Sequence, residues 1–450
     1  MVDYITIIGG GLAGSEAAYQ IAKRGIKVKL YEMKPDRFTE AHSNKNLAEI
    51  VCSNSFKSNL HTNACGLLKE ELRKLDSLLI KIADETQIPA GQALAVDREV
   101  FSQKVTEELE KNPLIEIIHQ EVVEIERIAE KGIVIIATGP LTSEGLSKEI
   151  SKITGEDKLH FYDAAAPIVT KESIDFNIAF FGNRYEQEKG KDETIDDWKE
   201  RIQKQEASYI NLPMNKDEYE KFVEELVNAE VVTLHEFEKR EIFEGCMPVE
   251  VMAKRGIDTL RYGPLKPVGF DEPRTGKRPY AVIQLRQDNE LGTIYNIVGF
   301  QTNLKYGEQK RVFGMIPGLQ NAEFVKYGVM HRNTYINSTK LLDNTYNFKD
   351  NKNIYFAGQI TGVEGYVESI SSGMVSALNA VAQMKNESKI EFSDLTMIGA
   401  LAKYISTPND KFQPMNANFG IVPELTKRIK DKKIKYGMLA DRAIENLKIY

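Results

Sequence analysis

The sequence has few residues of the types that hold disulfide-rich or metal-dependent folds together. It contains three cysteines, six histidines and one tryptophan. An odd and sparse cysteine set excludes a disulfide framework and indicates a reducing compartment, so we expect a cytoplasmic protein. No C-x-x-C pair is present, so neither a zinc site nor a dithiol redox motif is expected, and we predict no metal.

Long apolar runs and an excess of positive charge are also lacking. No segment is long and apolar enough to span a bilayer, and the first residues lead into a strand without a signal peptide, so we predict no membrane partner. The formal net charge of -7 excludes a general nucleic-acid binder, although a local basic face would still bind RNA. With 450 residues, of which 42% are hydrophobic, two or three domains are expected.

A dinucleotide-binding fingerprint opens the chain. A predicted strand over 4–8 leads into the pattern G-x-G-x-x-G and a helix over 15–24, and the next strand ends in an acid. The first glycine permits a tight turn, the second lets the backbone approach a pyrophosphate, and the third allows close helix–strand packing. Phosphates would bind at the helix N-terminus, and the acid would accept hydrogen bonds from ribose hydroxyls. The predicted cofactor-binding residues of this segment are Gly9, Gly10, Gly11, Gly14 and Glu32.

The pattern beyond this unit predicts mixed structure. Residues 33–66 are polar and irregular, as in a long loop with a function, and 67–85 are predicted to be helical. Strands are predicted over 122–126 and 132–138. Residues 186–206 form a dense charge run, which we interpret as a solvated helix or a flexible insert.

The second half of the chain decides between FAD and NAD. Residues 353–362 read as a strand followed by a glycine turn, and a helix comes after them. Together with the ATGP stretch at 137–140, they resemble the flavin-binding layout of the glutathione-reductase-like superfamily. The resemblance implies that Gly358 and Gly362 lie at a bound flavin.

The same resemblance implies the domain organisation. We expect an α/β fold in which a split Rossmann-type FAD-binding domain, glutathione-reductase-like, occupies 1–165 and 325–450. An inserted α+β domain occupies 166–324. Because a split of this kind spans the whole chain, tightly held FAD is expected in place of exchangeable NAD.

Two of the three cysteines are candidate catalytic residues. Cys52 lies among polar neighbours in a region that faces the flavin ring in this layout, and Cys246 precedes two cations, Lys254 and Arg255, which favour a thiolate. A thiolate is the best side-chain nucleophile near neutral pH. The alternative for each is a small buried core side chain. Cys65 starts an apolar helix, and we interpret it as structural.

Two further side chains are candidates for ligand contacts. Arg286 would hold a carboxylate tail through a bidentate contact, or else form a surface ion pair. His331 is either a satisfied structural group or a catalytic one. Both alternatives stay open on the residues alone.

Long and unusual stretches run through nearly the whole chain. They resemble the folate- and FAD-dependent tRNA (uracil-5-)-methyltransferases, a bacterial family that makes 5-methyluridine in the tRNA T-loop. The matching stretches include IIGGGLAGSEAA, AEIVCSNSFKS, FYDAAAPIV, FEGCMPVEVMAKRG, PYAVIQLRQD, KYGVMHRNTYIN and FAGQITGVEGYVES.

The resemblance implies an RNA-modifying enzyme. Methylene-tetrahydrofolate would be the carbon donor, FAD the carrier of the methylene and of hydride, and NADPH or NADH the reductant. Cys246 would attack C6 of the uracil, which makes C5 nucleophilic, and Cys52 would remove the C5 proton.

Substrate contacts are implied at fewer positions. The pterin ring would lie near His331 and Arg286, and Lys254 and Arg255 would contact the RNA. The inserted domain would face RNA and folate. A flipped uridine would have to reach the flavin, because its C5 and C6 are otherwise stacked in the loop.

Several functions stay open at this point. The first is methylation of the tRNA T-loop uridine, and the second is the same chemistry on a uridine of 23S ribosomal RNA. A flavin enzyme of the related wobble-uridine family would be longer and would work with a GTPase. An NAD(P)H-dependent flavin oxidoreductase would need no nucleophile at Cys246, and a non-catalytic flavin- and RNA-binding paralogue is disfavoured by the intact cysteines.

Overall fold

The structure is a computed structural model. It describes residues 3–39, 41–155, 159–204, 207–232, 247–410 and 412–450, and of 159–164 and 330–332 it describes the backbone alone. The strands, numbered in chain order, are β1 Tyr4–Ile8, β2 Lys27–Glu32, β3 Ser55–Ser58, β4 Gln87–Ile88, β5 Ala93–Val96, β6 Ile115–His119, β7 Val134–Ile136, β8 Leu159–Ala164, β9 Ile168–Thr170, β10 Phe180–Phe181, β11 Tyr209–Met214, β12 Ala281–Gln287, β13 Ile294–Ile297, β14 Phe324–Lys326, β15 Met330–Tyr335 and β16 Ile354–Phe356.

Helices cover these strands. They are α1 Leu12–Lys23, α2 Ala64–Lys74, α3 Leu78–Glu85, α4 Arg98–Glu110, α5 Ile125–Ala129, α6 Glu144–Thr154, α7 Ile195–Gln203, α8 Lys216–Asn228, α9 Val249–Lys254, α10 Thr259–Tyr262, α11 Tyr306–Phe313, α12 Ser338–Leu341, α13 Tyr366–Met384, α14 Met397–Ser406 and α15 Lys432–Asn446. Within the described ranges, no helix is both long and apolar enough to cross a membrane.

One sheet contains strands from the first third of the chain together with β16 from the last quarter. Its order within the described residues is β16-β7-β1-β2-β6, and every neighbouring pair is parallel. The residues of β7 and β16 are buried throughout, as expected when helices cover both faces of a parallel sheet. This strand order is that of a doubly wound nucleotide-binding fold, and β16 completes it from the far end of the chain.

A second sheet lies between these two parts of the chain. Its order among the described strands is β10-β11-β12-β13-β9-β14, with antiparallel pairing. Its apolar core includes Phe222 of α8 and Phe313 of α11. The strands β8 and β15 form an antiparallel ribbon beside it. The domain boundary expected at 324/325 falls inside β14, and the boundaries stay predictions.

Helices α1 and α13 cross in close contact on the first sheet. A Cβ added to Gly373 of α13 would lie 2.2 Å from the carbonyl oxygen of Ala13 in α1. A Cβ added to Gly14 would lie 1.8 Å from the carbonyl oxygen of Gly9. Glycine at these two positions therefore sets how closely the glycine turn, α1 and α13 approach one another.

Two sequence-based predictions of secondary structure were wrong. The predicted helix over 67–85 is divided into α2 and α3, because Asp76 adopts a left-handed backbone (φ 59°) and the Ser77 side chain caps α3. The predicted strand over 122–126 does not form. The chain leaves the sheet at Gln120, whose N–H donates to the carbonyl oxygens of both Glu32 and Ile118.

Two other regions are more ordered than expected. Residues 33–66 include β3, which pairs with β5. The charge run at 186–206 includes α7, and Trp198 on that helix is fully buried with its indole N–H donating to the carbonyl oxygen of Gln187 at 3.1 Å. The run is therefore anchored by a buried aromatic side chain and by Arg201, which pairs with Glu193 and donates to the carbonyl oxygens of Glu186 and Glu188.

The contact between α1 and α13 gives a testable consequence. Gly373→Ala forces the two backbones apart, and overpacking of this kind costs about 1–3 kcal/mol. Gly307→Ala, on α11, is the matched control because an added Cβ there meets no atom within 4 Å. Thermal unfolding should show a lower Tm for Gly373→Ala and an unchanged or higher Tm for Gly307→Ala. Equal midpoints for the two variants would contradict the packing described.

Candidate functional site

A cleft of about 1120 Å³, partly open to solvent, lies at the carboxyl ends of the five parallel strands. We call it the strand-end cleft. Ligands of doubly wound folds bind at this edge of the sheet. Residues that follow each strand line it, among them Gly9, Gly10, Gly11, Leu12, Glu32, Lys34, Gln120, Ala137, Thr138 and Gly358.

The glycine turn faces the strand-end cleft. Gly11 is the N-cap of α1, and no side chain caps the first turn of this helix. A Cβ added to Gly11 would meet no atom within 4 Å, whereas one added to Gly10 would lie 2.5 Å from Leu47. The turn therefore presents open backbone and uncapped N–H groups, which suit the pyrophosphate of a dinucleotide.

Glu32 lies at the end of β2 as predicted and is nearly buried. One carboxylate oxygen accepts the N–H of Gly10 at 2.9 Å, and the other accepts the N–H of Lys34 at 3.0 Å. The side chain is thus fixed beside the glycine turn. Each carboxylate oxygen has a second lone pair, so Glu32 keeps capacity to accept a ribose hydroxyl.

A buried ion pair holds the loop that follows β2. Lys34 Nζ lies 3.2 Å from a carboxylate oxygen of Glu49, and both side chains are less than 10% exposed. The same ammonium donates to the carbonyl oxygens of Asn44 and Asn46. His42 also lines the cleft, and burial followed by the nearby charge of Lys34 lowers its pKa. These contacts connect Lys34, at the start of the loop, with residues 44–49 further along it.

A second cavity of about 1200 Å³ adjoins the first. We call it the cysteine chamber because Cys52 lines it. The residues shared by the two linings are Val51, Pro140, Leu141, Gln359 and Tyr366. A dinucleotide in the strand-end cleft would therefore extend toward Cys52. Ser53, Ala165, Arg286, Gln301, Asn333 and Glu368 also line the chamber.

The segment Cys52–Asn54 is held from two sides, by Tyr366 and by Arg286, and we call these contacts the clamp. Tyr366 Oη, at the start of α13, accepts the backbone N–H groups of Cys52 and Ser53, both at 3.0 Å. From β12, Arg286 donates Nη2 to Ser53 Oγ at 2.7 Å and Nε to Asn54 Oδ1 at 3.0 Å. A helix that packs on the parallel sheet and a strand of the antiparallel sheet thus both contact the segment that carries Cys52.

Arg286 is the buried cation of the cysteine chamber. Its surroundings lower its pKa, chiefly through burial. A guanidinium has five N–H donors, and in the described part of the chain three of those of Arg286 have no acceptor. A surface ion pair, the alternative considered for this residue, is not what the structure shows. The remaining donors suit an anionic or carbonyl group of a ligand.

A second ion pair braces the same segment. Arg98 Nε lies 3.0 Å from Asp288 Oδ2, and the Asp288 side chain is 2% exposed. Arg98 also donates to the carbonyl oxygens of Ile50 and Val51. The backbone before Cys52 is therefore bonded to a buried ion pair, as the residues after Cys52 are bonded to Arg286.

Five of the seven predicted cofactor-binding residues line the strand-end cleft, namely Gly9, Gly10, Gly11, Glu32 and Gly358. The other two predicted glycines do not: Gly14 packs on the turn, and a Cβ added to Gly362 would lie 2.4 Å from the Phe412 ring.

The remaining predicted residues are dispersed. Lys254 and Arg255 are exposed at the end of α9 and line neither cavity. His331 lies on β15 opposite Asp163 of β8, two residues before Asn333, and its side chain lies outside the described residues. Cys246 also lies outside them. Cys65 is buried, in agreement with a structural role.

Three contributors to the site were missed. Tyr366, Arg98 and Asn54 bind atoms far away in the chain, so their partners left no local signal. The GYVES stretch that follows a glycine turn could have pointed to Tyr366, because a residue at a helix start after such a turn faces the strand-end edge. Among the described residues, no group of three or more acids, histidines or cysteines is arranged to hold a metal ion.

Comparison with known proteins places this geometry in context. A family model described as glucose inhibited division protein A matches residues 4–388. The methylenetetrahydrofolate--tRNA-(uracil-5-)-methyltransferase TrmFO of Acetivibrio thermocellus is 58% identical over 100% of this chain and 99% of that protein. The Enterococcus faecalis protein of the same name is 55% identical over 99% of this chain and 98% of its own length.

A solved structure shares the fold. Aquifex aeolicus GidA superposes with a TM-score of 0.67 at 16% identity, covering 99% of this chain and 74% of the other. At this identity the likeness concerns the fold alone. It includes both the parallel sheet and the segment inserted into it.

Cys52 is partly exposed and Cys65 is buried, and this difference can be tested with iodoacetamide at pH 8. Burial raises the pKa of the Cys65 thiol to about 11, so only about one molecule in a thousand carries that thiolate at this pH. Peptide mass spectrometry should find Cys52 alkylated in the folded protein and Cys65 alkylated only after unfolding in guanidinium. Equal labelling rates in the folded protein would show that Cys65 is not buried as described.

Proposed function

Because the chain belongs to the glucose inhibited division protein A family, and within it to the methylenetetrahydrofolate--tRNA-(uracil-5-)-methyltransferases TrmFO, we propose that it methylates C5 of a uridine in tRNA. The observation that carries the proposal is the position of Cys52. It lines the cysteine chamber directly after Val51, which lines both cavities, in a chain that is 58% identical to such an enzyme over its whole length. The tRNA T-loop uridine is the proposed target.

The overall reaction balances with a reductant. Uridine, methylene-tetrahydrofolate, NAD(P)H and one proton give 5-methyluridine, tetrahydrofolate and NAD(P)⁺. The transferred carbon has the oxidation level of formaldehyde in the donor and becomes a methyl group, so two electrons are required. FAD, when bound, supplies the carrier chemistry for the methylene and the hydride.

The strand-end cleft fits FAD. The uncapped start of α1 at Gly11 would bind the pyrophosphate, and Glu32 would accept a ribose hydroxyl. Gly358, after β16, lines the same cleft near the start of α13. Because the two cavities share part of their lining, the cofactor would extend from the pyrophosphate site toward the chamber that Cys52 lines.

The two cysteines divide the chemistry at the uracil. Cys246 Sγ adds to C6, and the displaced electron pair makes C5 a nucleophile that bonds to the one-carbon unit. Cys52 Sγ would take the proton from C5 while the one-carbon unit breaks its bond to its carrier, which leaves a methylene group doubly bonded to C5. Hydride derived from NAD(P)H would then add to that carbon, and Cys246 would leave as the C5–C6 double bond is restored. The clamp on Cys52–Asn54 keeps the proton acceptor at a fixed position in the chamber.

Other residues of the chain would contact the substrates. The three unused N–H donors of Arg286 would bind a carbonyl or carboxylate group of the folate, with His331 nearby on β15. Lys254 and Arg255 would contact RNA phosphates near Cys246. Unmodified tRNA, reduced folate and nicotinamide nucleotides coexist in the cytoplasm, where we place the reaction.

Carbon transfer into RNA is the direct test. With FAD, NADPH and labelled methylene-tetrahydrofolate, label should enter unmodified tRNA and appear as 5-methyluridine after nuclease digestion. Cys246→Ala and Cys52→Ala should each lose at least about 100-fold in rate, as removal of a nucleophile or a general base does. Cys65→Ala is the matched control, because Cys65 lines neither cavity, and it should stay active.

The same assay separates the alternatives. Label in a 23S ribosomal RNA fragment and none in tRNA would keep the chemistry and change the target. NADPH oxidation without label in either RNA would indicate a flavin oxidoreductase, and neither activity would indicate a non-catalytic paralogue.

A further inference from the structure

A stack of three aromatic rings leads from the inserted domain to the surface. Tyr327 lies between the other two rings, with centroid distances of 4.9 Å to Tyr306 and 5.1 Å to Phe324 and interplanar angles of 21° and 11°. Phe324 packs against the apolar core of the second sheet. Tyr306 is 55% exposed. The stack is thus anchored at one end and open at the other.

The chain that leads into the stack contacts the described residues on both sides of segment 233–246, in which Cys246 stands. Residues 301–305, which lead directly into Tyr306, form hydrogen bonds on both sides of that segment. Before it, the N–H of Val232 donates to the carbonyl oxygen of Asn303 at 2.9 Å, and after it, the N–H of Val249 donates to the carbonyl oxygen of Gln301 at 2.7 Å. Segment 233–246 itself lies outside the described residues.

The same residues connect the stack to the cysteine chamber. Gln301 lines the chamber. Lys326, next to Tyr327 in the chain, donates to the carbonyl oxygen of Val51 at 3.4 Å. The Tyr306 ring therefore follows, five residues later in the chain, a side chain that lines the chamber and a backbone that pairs with Val249.

We infer that Tyr306 is a stacking platform for an RNA base next to the target uridine. The inference rests on the proposed function. A uridine that leaves its stack to reach Cys246 exposes a face of the neighbouring base, and unstacking costs a few kcal/mol. A ring held parallel to two others can cover that face without losing side-chain freedom. Stacking on an aromatic ring accepts any base, so the platform positions the RNA without reading its sequence.

Tryptophan fluorescence gives a readout independent of catalysis. The chain has one tryptophan, Trp198, which is fully buried and supplies a constant background. In FAD-loaded Tyr306→Trp, unmodified tRNA should quench more than half of the added emission, because a base would stack on the new indole. Tyr185→Trp is the control: Tyr185 lies in the same domain, is 64% exposed and has no ring partner among the described residues.

Kinetics test the same ring. Tyr306→Ala should raise the KM for tRNA about 10-fold, in line with the loss of one base stack, and leave the KM for methylene-tetrahydrofolate unchanged. Tyr306→Phe should restore the wild-type KM because it keeps the ring.

The outcomes distinguish this inference from the proposed function. If wild-type protein methylates tRNA while tRNA quenches Tyr306→Trp no more than Tyr185→Trp, the platform is overturned and the methyltransferase stands. If wild-type protein transfers no carbon to tRNA, the proposed function fails first and the platform loses its basis. Quenching together with a selective rise in the KM for tRNA supports both.

Discussion

The site depends on the clamp around Cys52–Asn54. A phenol oxygen from α13 accepts two successive backbone N–H groups, and a guanidinium from β12 binds the next two side chains. The first group comes from a helix that packs on the parallel sheet, and the second comes from a strand of the antiparallel sheet. The clamp therefore connects the parallel sheet, through α13, to the antiparallel sheet at Cys52. Without it, there would remain the contacts of Arg98 and Lys326 with the backbone before Cys52.

The clamp works because the parallel sheet closes from the far end of the chain. The strand β16 completes the sheet, and its following turn leads to Tyr366 at the start of α13. The close approach of Gly373 to Ala13 presses α13 against α1, the helix that begins at the glycine turn. Residues at the start of α13 line both the strand-end cleft and the cysteine chamber, and Tyr366 is common to the two linings.

Patterns in the sequence predicted those parts of the structure that residues close together in the chain form. The glycine turn, Glu32 and the strand over 354–356 follow from strand–turn–helix spacing, and they lie in or beside the strand-end cleft. The contacts of Tyr366 with Cys52 and of Arg286 with Ser53 span 314 and 233 residues, and no local pattern encodes them.

The two wrong predictions of secondary structure, the helix over 67–85 and the strand over 122–126, also arise where the local pattern does not decide the structure. The apolar periodicity over 67–85 continues across a break that one left-handed residue, Asp76, imposes. The β-branched residues near 122 suggested a strand, but the hydrogen bonds at Gln120 had already turned the chain out of the sheet. At Trp198 the structure is more ordered than predicted. The charges of the surrounding segment suggested a solvated or flexible insert, but the buried Trp198 side chain anchors it. In each case a single residue outweighed the surrounding composition.

The central claim is that Cys246 bonds covalently to the uridine while Cys52 removes the C5 proton. The most direct measurement uses tRNA with 5-fluorouridine in place of uridine, because C5 then has no proton to lose after carbon transfer. We predict a denaturation-resistant protein–RNA complex with wild-type protein and with Cys52→Ala, mapped to Cys246 by peptide mass spectrometry and absent in Cys246→Ala. A complex that persists in Cys246→Ala, or that maps to Cys52, would contradict the account.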